Sequence, residues 1–331
     1  MNPLRHRRFL RAASAFAVAT ALVLGAAVPA HAETPNVVTT PGVSSTDQIT
    51  VDAPLHRVFV LGDDAAHRGQ RMLTIIDART DTVIGAPISL PAADFIASDH
   101  QTHRVFITDS AAAKITVLDG RTGAVIGSSV KLSSRLASVA VDPFLGRVFV
   151  MDTEHNLFTL DESGIPIRRM LNIPGSGTTL AVDYWQGKVY VPNNLLGSGV
   201  TVVDGQESVV VGSIPVAKLT GQIAVDPFDH ALAVSTQSSL VVVDTRTDAV
   251  RYTSDMPVSA GRPLGVDIIS HTFFAKANDA TVWAFYAGSA ERMTADDVGS
   301  MASDYLLHKV YAAQWNRGSV AVLTEWKSTA P

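Results

Sequence analysis

The apolar residues of the chain fall into short runs, and turns rich in Asp, Gly and Thr separate these runs. Runs such as VFV from Val58 and ITVL from Ile115 consist of β-branched and aromatic residues, which favour strands. No segment beyond residue 32 keeps a helical period over a useful length. The pattern therefore predicts an all-β fold.

An eleven-residue block recurs seven times along the chain. Its copies are TVDAPLHRVFV from Thr50, ASDHQTHRVFI from Ala97, AVDPFLGRVFV from Ala140, AVDYWQGKVYV from Ala181, AVDPFDHALAV from Ala224, GVDIISHTFFA from Gly265 and ASDYLLHKVYA from Ala302. The third position is always an aspartate: Asp52, Asp99, Asp142, Asp183, Asp226, Asp267 and Asp304. Each copy is expected to be part of one repeated structural unit.

A second block follows each first block by about twenty residues, and its clearest copies are LTIIDARTDTVIG from Leu73 and ITVLDGRTGAVIG from Ile115. Each unit thus predicts four short strands, and successive units lie 37 to 47 residues apart. Four strands with this period are typical of a propeller blade. We predict a seven-bladed β-propeller of four-stranded antiparallel blades. A linear solenoid is the alternative, but it would need polar capping repeats at both ends, and none is visible.

The two ends of the repeat array predict how the ring closes. The seventh unit lacks a full fourth strand, whereas residues 36–40 precede the first block and belong to no unit. We expect this N-terminal segment to complete the last blade, because the pairing would hide both exposed sheet edges. Residues 33–331 are then a single propeller domain.

The blocks AVDPFLGRVFV and ITVLDGRTGAVIG resemble the YVTN-type propeller repeat, and the chain resembles the exported YncE-like proteins. The likeness covers residues 36–326, with five well-matched units; the sixth unit departs most, since it has no Asp-x-x-Thr turn. The resemblance implies the propeller fold. It implies little about function, because members of this family serve mainly as binding or surface proteins of varied role.

Residues that recur in every unit are expected to serve the blade, because a functional site would appear once. The aspartates of the first block are placed to accept N–H bonds from the following turn. The seventh position is histidine or glycine, which predicts a positive φ: His56, His103, Gly146, Gly187, His230, His271 and His308. The basic residues after it are expected on a solvated surface: Arg57, Arg104, Arg147, Lys188 and Lys309. A further set is expected to begin the turn between third and fourth strands: Asp77, Asp119, Asp161, Asp204 and Asp244.

The connections between second and third strands, and those between blades, share the opposite face and differ from unit to unit. Variable connections are where a ligand is expected to bind. The candidate binding residues on them are Asp63, Asp64, His67, Arg68, Asp109, Arg135, Asp152, Glu154, His155, Asn193, Arg262 and Arg317. His67 and His155, with nearby carboxylates, have the chemistry of a metal or acid–base site if their loops converge. Solvated loop residues are the alternative interpretation.

The first 32 residues have the pattern of a secretory signal peptide. Four arginines between Arg5 and Arg11 precede an apolar stretch over residues 12–28, and Ala30 and Ala32 are small residues before a cleavage site at Glu33. Removal of this segment leaves 22 basic against 31 acidic residues and changes the formal net charge from −5 to −9. We therefore expect an exported protein without stable membrane insertion. The acidic charge argues against nucleic-acid binding.

The chain has no cysteine, which excludes disulfides, thiol nucleophiles and cysteine-ligated metals. It also lacks the Gly-x-Ser-x-Gly, His-Glu-x-x-His and phosphate-loop motifs. We predict a monomeric, cofactor-free scaffold that binds a protein, glycan or small molecule through its variable loops. The alternative is a lactonase- or lyase-like enzyme with a His/carboxylate site, with or without a metal, at the channel mouth.

Overall fold

The computed structural model describes residues 35–175, 179–193, 199–254, 264–277, 281–286, 289–293, 295 and 297–324. The predicted signal peptide, residues 1–32, lies outside this part of the chain. The described residues form strands, turns and bends, and no helix long and apolar enough to cross a membrane occurs among them. The prediction of an all-β chain is confirmed.

The strands assemble into seven antiparallel sheets, which are the blades of a seven-bladed propeller. The segment before the first blade is β1 (Asn36–Thr39). Blades 1 and 2 contain β2 (Val43–Asp52), β3 (Arg57–Asp64), β4 (Arg71–Asp77), β5 (Thr82–Val83), β6 (Ile88–Leu90), β7 (Phe95–Asp99), β8 (Arg104–Asp109), β9 (Lys114–Asp119) and β10 (Val125–Ser128). The outer strand of blade 1 is split into β5 and β6, which both pair with β4.

The next three blades follow the same order of strands. They contain β11 (Leu136–Asp142), β12 (Arg147–Asp152), β13 (Leu157–Asp161), β14 (Pro166–Met170), β15 (Ala181–Asp183), β16 (Lys188–Asn193), β17 (Gly199–Asp204), β18 (Val209–Pro215), β19 (Leu219–Asp226), β20 (Ala231–Thr236), β21 (Leu240–Asp244) and β22 (Ala249–Ser254). Blades 6 and 7 contain β23 (Leu264–Asp267), β24 (Thr272–Lys276), β25 (Val282–Tyr286), β26 (Ser289–Met293), β27 (Val298–Asp304), β28 (Lys309–Gln314) and β29 (Ser319–Leu323).

The N-terminal strand closes the ring, as the sequence predicts. β1 pairs antiparallel with β29, from Asn36 opposite Val322 to Thr39 opposite Ser319. Blade 7 is therefore the four-stranded sheet β1-β29-β28-β27, with its outer strand taken from the start of the domain. The pairing covers an edge that would otherwise present unpaired backbone groups.

Burial explains why the middle strands are so apolar. The second strand of blade 3, β12, is buried at five of its six positions, whereas its outer strand β14 has no fully buried residue. A middle strand packs against neighbouring blades on both of its sides, so its sequence is continuously apolar rather than alternating. The described buried side chains form seven clusters, one in each seam between adjacent blades. The cluster of Val38, Val60 and Tyr311 joins blade 7 to blade 1.

We call the face that carries the turns between first and second strands the turn face. Each innermost aspartate accepts backbone N–H groups there, as predicted: Asp99 Oδ1, for example, accepts from Gln101 at 2.8 Å and Thr102 at 3.1 Å. The seventh block position has φ between 50° and 62° in all seven turns, which confirms the prediction of a positive φ. The second set of aspartates begins the turns between third and fourth strands, as Asp119 does by accepting from Thr122 N at 2.9 Å.

The histidines of these turns also join neighbouring blades, which the sequence did not reveal. His103 Nδ1 lies 2.7 Å from Asp52 Oδ2 of the preceding blade, and His271 Nδ1 lies 2.8 Å from Asp226 Oδ2. His56 makes the same contact at 2.8 Å with Asp304, across the closing seam. We call these three His–Asp hydrogen bonds histidine staples, because each joins two neighbouring blades on the turn face.

The staple is missing at four seams. Two of them have glycine at the seventh position, and there Asp99 Oδ2 and Asp142 Oδ2 are buried without a hydrogen-bond partner among the described residues. At the other two, His230 Nδ1 has no described partner and His308 Nδ1 lies 3.7 Å from Asp267 Oδ2. Burial raises the pKa of Asp142, and the charges of Asp183 and Asp99 add to this effect. A buried carboxylate oxygen without a hydrogen bond lowers the stability of the fold. The two seams with glycine therefore contribute less to stability than the stapled seams.

The basic residues that were predicted on a solvated surface are partly exposed, and three of them also contact the next blade. Arg104 Nη1 donates to the carbonyl of Glu162 at 2.7 Å, and Lys188 Nζ donates to that of Thr245 at 2.7 Å. Lys309 Nζ lies 2.8 Å from Asp81 Oδ2. Each partner belongs to the next blade, because the curvature of the ring brings the outer turn of one blade against the second strand of its neighbour.

Candidate functional site

A cavity of about 650 Å³ lies on the face opposite the turn face, which we call the loop face. Innermost strands run from the loop face to the turn face, and residues at or near their starts line the cavity. All seven blades contribute, and one lining residue from each is Gln48, Phe95, Ser138, Leu180, Gln222, Leu264 and Ser300. The cavity is thus the loop-face end of the central channel, and its volume is within the range of small-molecule sites.

The cavity wall is mixed in polarity and carries few charges. Arg135 and Asp94 are the charged residues among its described lining. Asp94 Oδ2 accepts from Ser110 N at 2.7 Å, whereas the exposed guanidinium of Arg135 forms no ion pair with a described carboxylate. The Ser300 hydroxyl is buried and has no hydrogen-bond partner in the described part of the chain. Of these groups, the exposed Arg135 guanidinium is therefore open to a bound molecule.

A smaller cavity of about 350 Å³ adjoins the first and shares Gln48, Asp94 and Phe95 with it. Its wall includes Arg71, which forms ion pairs with Asp47 and, at 2.6 Å, with Asp63. Burial alone would raise the pKa of Asp63, but hydrogen bonds from Ser45 and Arg71 outweigh it and hold that pKa below its usual range. Asp63 is therefore an ionised partner of Arg71 at the edge of this smaller cavity.

The long first loop is organised by one of its predicted site residues. Asp64 Oδ1 accepts from Ala66 N at 2.7 Å, and Asp64 Oδ2 lies 2.8 Å from His67 Nδ1. The hydrogen bond from His67 is the main reason why the pKa of Asp64 is lowered. His67 and Arg68 are exposed. The loop thus closes on itself, and these side chains face solvent.

Asp152 is fully buried, and neighbouring residues supply hydrogen bonds to its carboxylate. It accepts from Ser133 Oγ at 2.5 Å, Asn156 Nδ2 at 2.9 Å and Glu154 N at 2.9 Å. Burial opposes ionisation, but these hydrogen bonds outweigh it and lower the pKa of Asp152. The carboxylate therefore shapes the loop between β12 and β13. In that loop Glu154 is exposed, and His155 adopts a φ of 63°.

The remaining predicted residues are spread over the loop face. Asp109 Oδ1 accepts from Ala112 N at 2.8 Å, Asn193 ends β16, and Arg317 is exposed between β28 and β29. Arg262 lies outside the described residues. Of the described candidates, Arg135 is the one that lines the main cavity.

Within the described ranges, no group of three or more His, Asp or Glu side chains is arranged to hold a metal ion. His67 is hydrogen-bonded to Asp64 of its own loop, and Asp152 is enclosed by Ser133 and Asn156. This geometry gives no support to the alternative prediction of an enzyme with a His/carboxylate centre.

The sequence pointed to the loop face but missed most of the cavity wall. Gln48, Gln222 and Ser300 lie on innermost strands, whereas the candidates predicted from the sequence lie on variable loops. One signal was available, since these positions are polar and lie a few residues before the repeated aspartates Asp52, Asp226 and Asp304. In the middle strands, equivalent stretches are apolar.

No protein-family model matches the chain, and no curated protein matches it. Among solved structures, the chain is similar to one described as "Kuenenia stuttgartiensis Hydrazine Synthase", with a TM-score of 0.69 and 12% sequence identity. The similarity covers 86% of this chain and 97% of that one. At this identity it shows the propeller fold alone.

Proposed function

We propose that this protein is an exported binding protein that captures a small polar molecule in the loop-face cavity. The observation that carries the proposal is the cavity itself, about 650 Å³ in volume and lined by all seven blades, with the unpaired Arg135 guanidinium and the polar residues Gln48 and Gln222 in its wall. Convergent polar groups in a concave site are typical of ligand pockets. Membership of the YVTN-type, YncE-like proteins and a monomeric state belong to the same proposal.

Matched arginine variants test the proposed site. Native mass spectrometry of the protein purified from its exported fraction, and thermal shift with amino acids, small carboxylates and mono- and disaccharides, should reveal a bound small molecule. Arg135→Ala, in the cavity, should weaken binding by about tenfold or more, because a charged hydrogen bond is lost. Arg68→Ala, on the long first loop, should leave binding unchanged.

Two results would contradict this site. Binding that survives Arg135→Ala and Ser300→Leu but disappears in Arg68→Ala would place the ligand on the variable loops. Absence of any bound or binding small molecule, combined with capture of a glycan or protein by the loop face, would replace the small ligand by a larger one.

The export part of the proposal rests on the N-terminal pattern of basic, apolar and small residues. N-terminal sequencing of the protein from an export-competent bacterial host should find Glu33 as the first residue of a soluble species. A full-length chain held in the membrane fraction would contradict cleavage.

A further inference from the structure

The turn face carries a row of apolar side chains that point into solvent. Each lies two residues after the innermost aspartate of its blade, and each is about half exposed: Phe144 (50%), Trp185 (53%), Phe228 (45%), Ile269 (48%) and Leu306 (51%). They belong to consecutive blades, from 3 to 7. We call Phe144, Tyr184, Trp185 and Phe228, which are the aromatic part over blades 3 to 5, the aromatic arc.

The rings of the arc touch across the seams. The Phe144 and Trp185 rings stack with centroids 5.2 Å apart and planes 18° apart, and Trp185 meets Phe228 edge-on at 5.8 Å. Tyr184 lies at the centre and contacts Phe144 at 5.2 Å and Phe228 at 6.3 Å. The arc is thus one continuous aromatic surface.

The aromatic arc is a sizeable apolar surface. Half-exposed phenylalanine and tryptophan side chains present roughly 100 Å² each, so Phe144, Trp185 and Phe228 together present roughly 300 Å². This value is within the range of the largest apolar patch on a typical monomer, and such patches are often functional. The size by itself does not say what covers it.

The charge beneath the arc indicates the chemistry of its partner. Blades 3 and 4 contribute the buried carboxylates of Asp142 and Asp183, and no histidine staples either of them. Asp142 Oδ2 has no described partner, and among the described residues Asp183 Oδ2 accepts from the neutral groups of Gln186 and Thr245 alone. The nearby cations Arg147 and Lys188 form no ion pair with either carboxylate, since their donors go to backbone carbonyls. Aromatic faces are also negative, so the arc combines negative ring faces with carboxylates that are not ion-paired.

The titration of Tyr184 is consistent with that potential. Burial raises the pKa of its hydroxyl, and Tyr305 and the carboxylates of Asp226, Asp183 and Asp142 raise it further. Three carboxylates from three blades therefore act on the centre of the arc.

We propose that the aromatic arc is a binding site for a soluble ligand that carries a quaternary or alkylated ammonium group. Such a cation combines an apolar surface, which fits the exposed rings, with a diffuse positive charge, which fits the ring faces and the carboxylates beneath them. A neutral sugar or an apolar peptide would use the rings but would gain nothing from the charge. The site lies on the face opposite the cavity, so it does not depend on the proposed function.

The test compares two probes of equal shape and different charge. Choline and neohexyl alcohol, its isostere with carbon in place of nitrogen, are titrated against the exported chain and followed by saturation-transfer NMR. We expect choline to bind with a Kd on the order of millimolar. The uncharged isostere should bind at least about threefold more weakly.

Three variants locate the site. Trp185→Ala should weaken choline binding by about tenfold, because the most exposed ring is lost. Asp142→Asn should weaken choline by about threefold without changing the isostere, because only the charge is removed. Trp315→Ala is the matched control, since Trp315 is equally exposed (52%) but lies at the loop-face cavity. Arg135→Ala should also leave choline binding unchanged.

Each of four results would overturn the proposal. Equal binding of the two probes would reduce the arc to an apolar patch, and absence of choline binding would exclude the site. Binding to phosphatidylcholine vesicles without binding of free choline would assign the face to a lipid surface. A concentration-dependent dimer that is lost in Trp185→Ala would assign it to a second copy of the chain.

Discussion

The turn face joins neighbouring blades in two different ways, although one sequence block builds it throughout. At the seams between blades 7 and 1, 1 and 2, and 5 and 6, a histidine bonds the buried aspartate of the preceding blade. Across blades 3, 4 and 5, aromatic rings meet instead, and Asp142 keeps an unpartnered oxygen. A repeated residue is therefore not energetically equivalent in every blade.

The difference follows in part from one position of the repeat. At three seams the histidine at the seventh position supplies both a positive φ and an Nδ1 atom that reaches the aspartate of the preceding blade, whereas glycine supplies only the φ. At the two seams with glycine, one oxygen of Asp99 or Asp142 is buried without a hydrogen-bond partner among the described residues. His230 forms no such bond either, and at its seam the Trp185 and Phe228 rings meet. His308 is intermediate, because its Nδ1 lies 3.7 Å from Asp267 Oδ2, too far for a hydrogen bond.

The largest effect is expected where the ring closes. Val38 is 6% exposed and packs in the seam of blades 7 and 1, whereas its neighbour Val37 in the same strand is 48% exposed. Val38→Asp should lower the free energy of unfolding by about 3–5 kcal/mol, because a charge enters an apolar cluster. Val37→Asp should change it by less than about 0.5 kcal/mol. Equal losses in urea unfolding would show that β1 does not close the ring.

A stapled seam should be weakened by loss of its histidine. His271→Gly keeps the positive φ but leaves Asp226 Oδ2 without its donor, and should cost about 1.5 kcal/mol. His230→Gly is the control, because His230 Nδ1 has no partner among the described residues. Thermal unfolding measures the stability lost in each variant, and the difference between the two losses gives the contribution of the His271–Asp226 hydrogen bond. A difference near zero would remove the distinction between the two kinds of seam.

An unstapled seam should be strengthened by the reverse change. Gly187 has a φ of 62°, and a Cβ atom there meets nothing closer than Leu145 Cδ1 at 3.7 Å. Gly187→His should therefore fit, donate to Asp142 Oδ2 and add about 1 kcal/mol to the free energy of unfolding. The gain should shrink in an Asp142→Asn background, which a double-mutant cycle measures. A gain of the same size in both backgrounds would mean that the new histidine acts through another contact.

The smallest effect concerns pH. The pKa of Asp142 is higher in the folded state than in the unfolded state, so the folded state favours the protonated carboxyl. The stability that Asp142 contributes is therefore complete below the unfolded-state pKa and is lost as pH rises through the folded-state pKa. Asp142→Asn should thus gain stability relative to the wild type with rising pH, by less than about 1 kcal/mol. Asp152→Asn should show the opposite sign, because the pKa of Asp152 is lowered and its stabilisation is lost as pH falls. Urea unfolding between pH 2 and pH 8 checks both, because the Asp152 effect falls below about pH 5 and the Asp142 effect above about pH 4. Slopes of the same sign would contradict this account.

The repeats were sufficient to predict the blades, because each block carries its own strand runs and turn residues. The spacing of Asp52 and Asp99 already implies one blade between them, and the seventh position already implies a left-handed turn. The site was harder to predict. Arg135 was predicted as a site residue and does line the cavity. Gln48 and Ser300 also line it but were not predicted, because nothing in a single repeat shows which inner-strand residues lie around the channel.

The sequence by itself thus determined the fold, its seven units and the closing strand, since these depend on local strand and turn preferences repeated many times. Only the tertiary structure decided which residues meet: His271 with Asp226, Lys309 with Asp81, Phe144 with Trp185. Hydrogen bonds and ring contacts act over a few ångströms, and each of these partners lies in a neighbouring blade. The curvature of the ring sets those distances, and no single repeat encodes it.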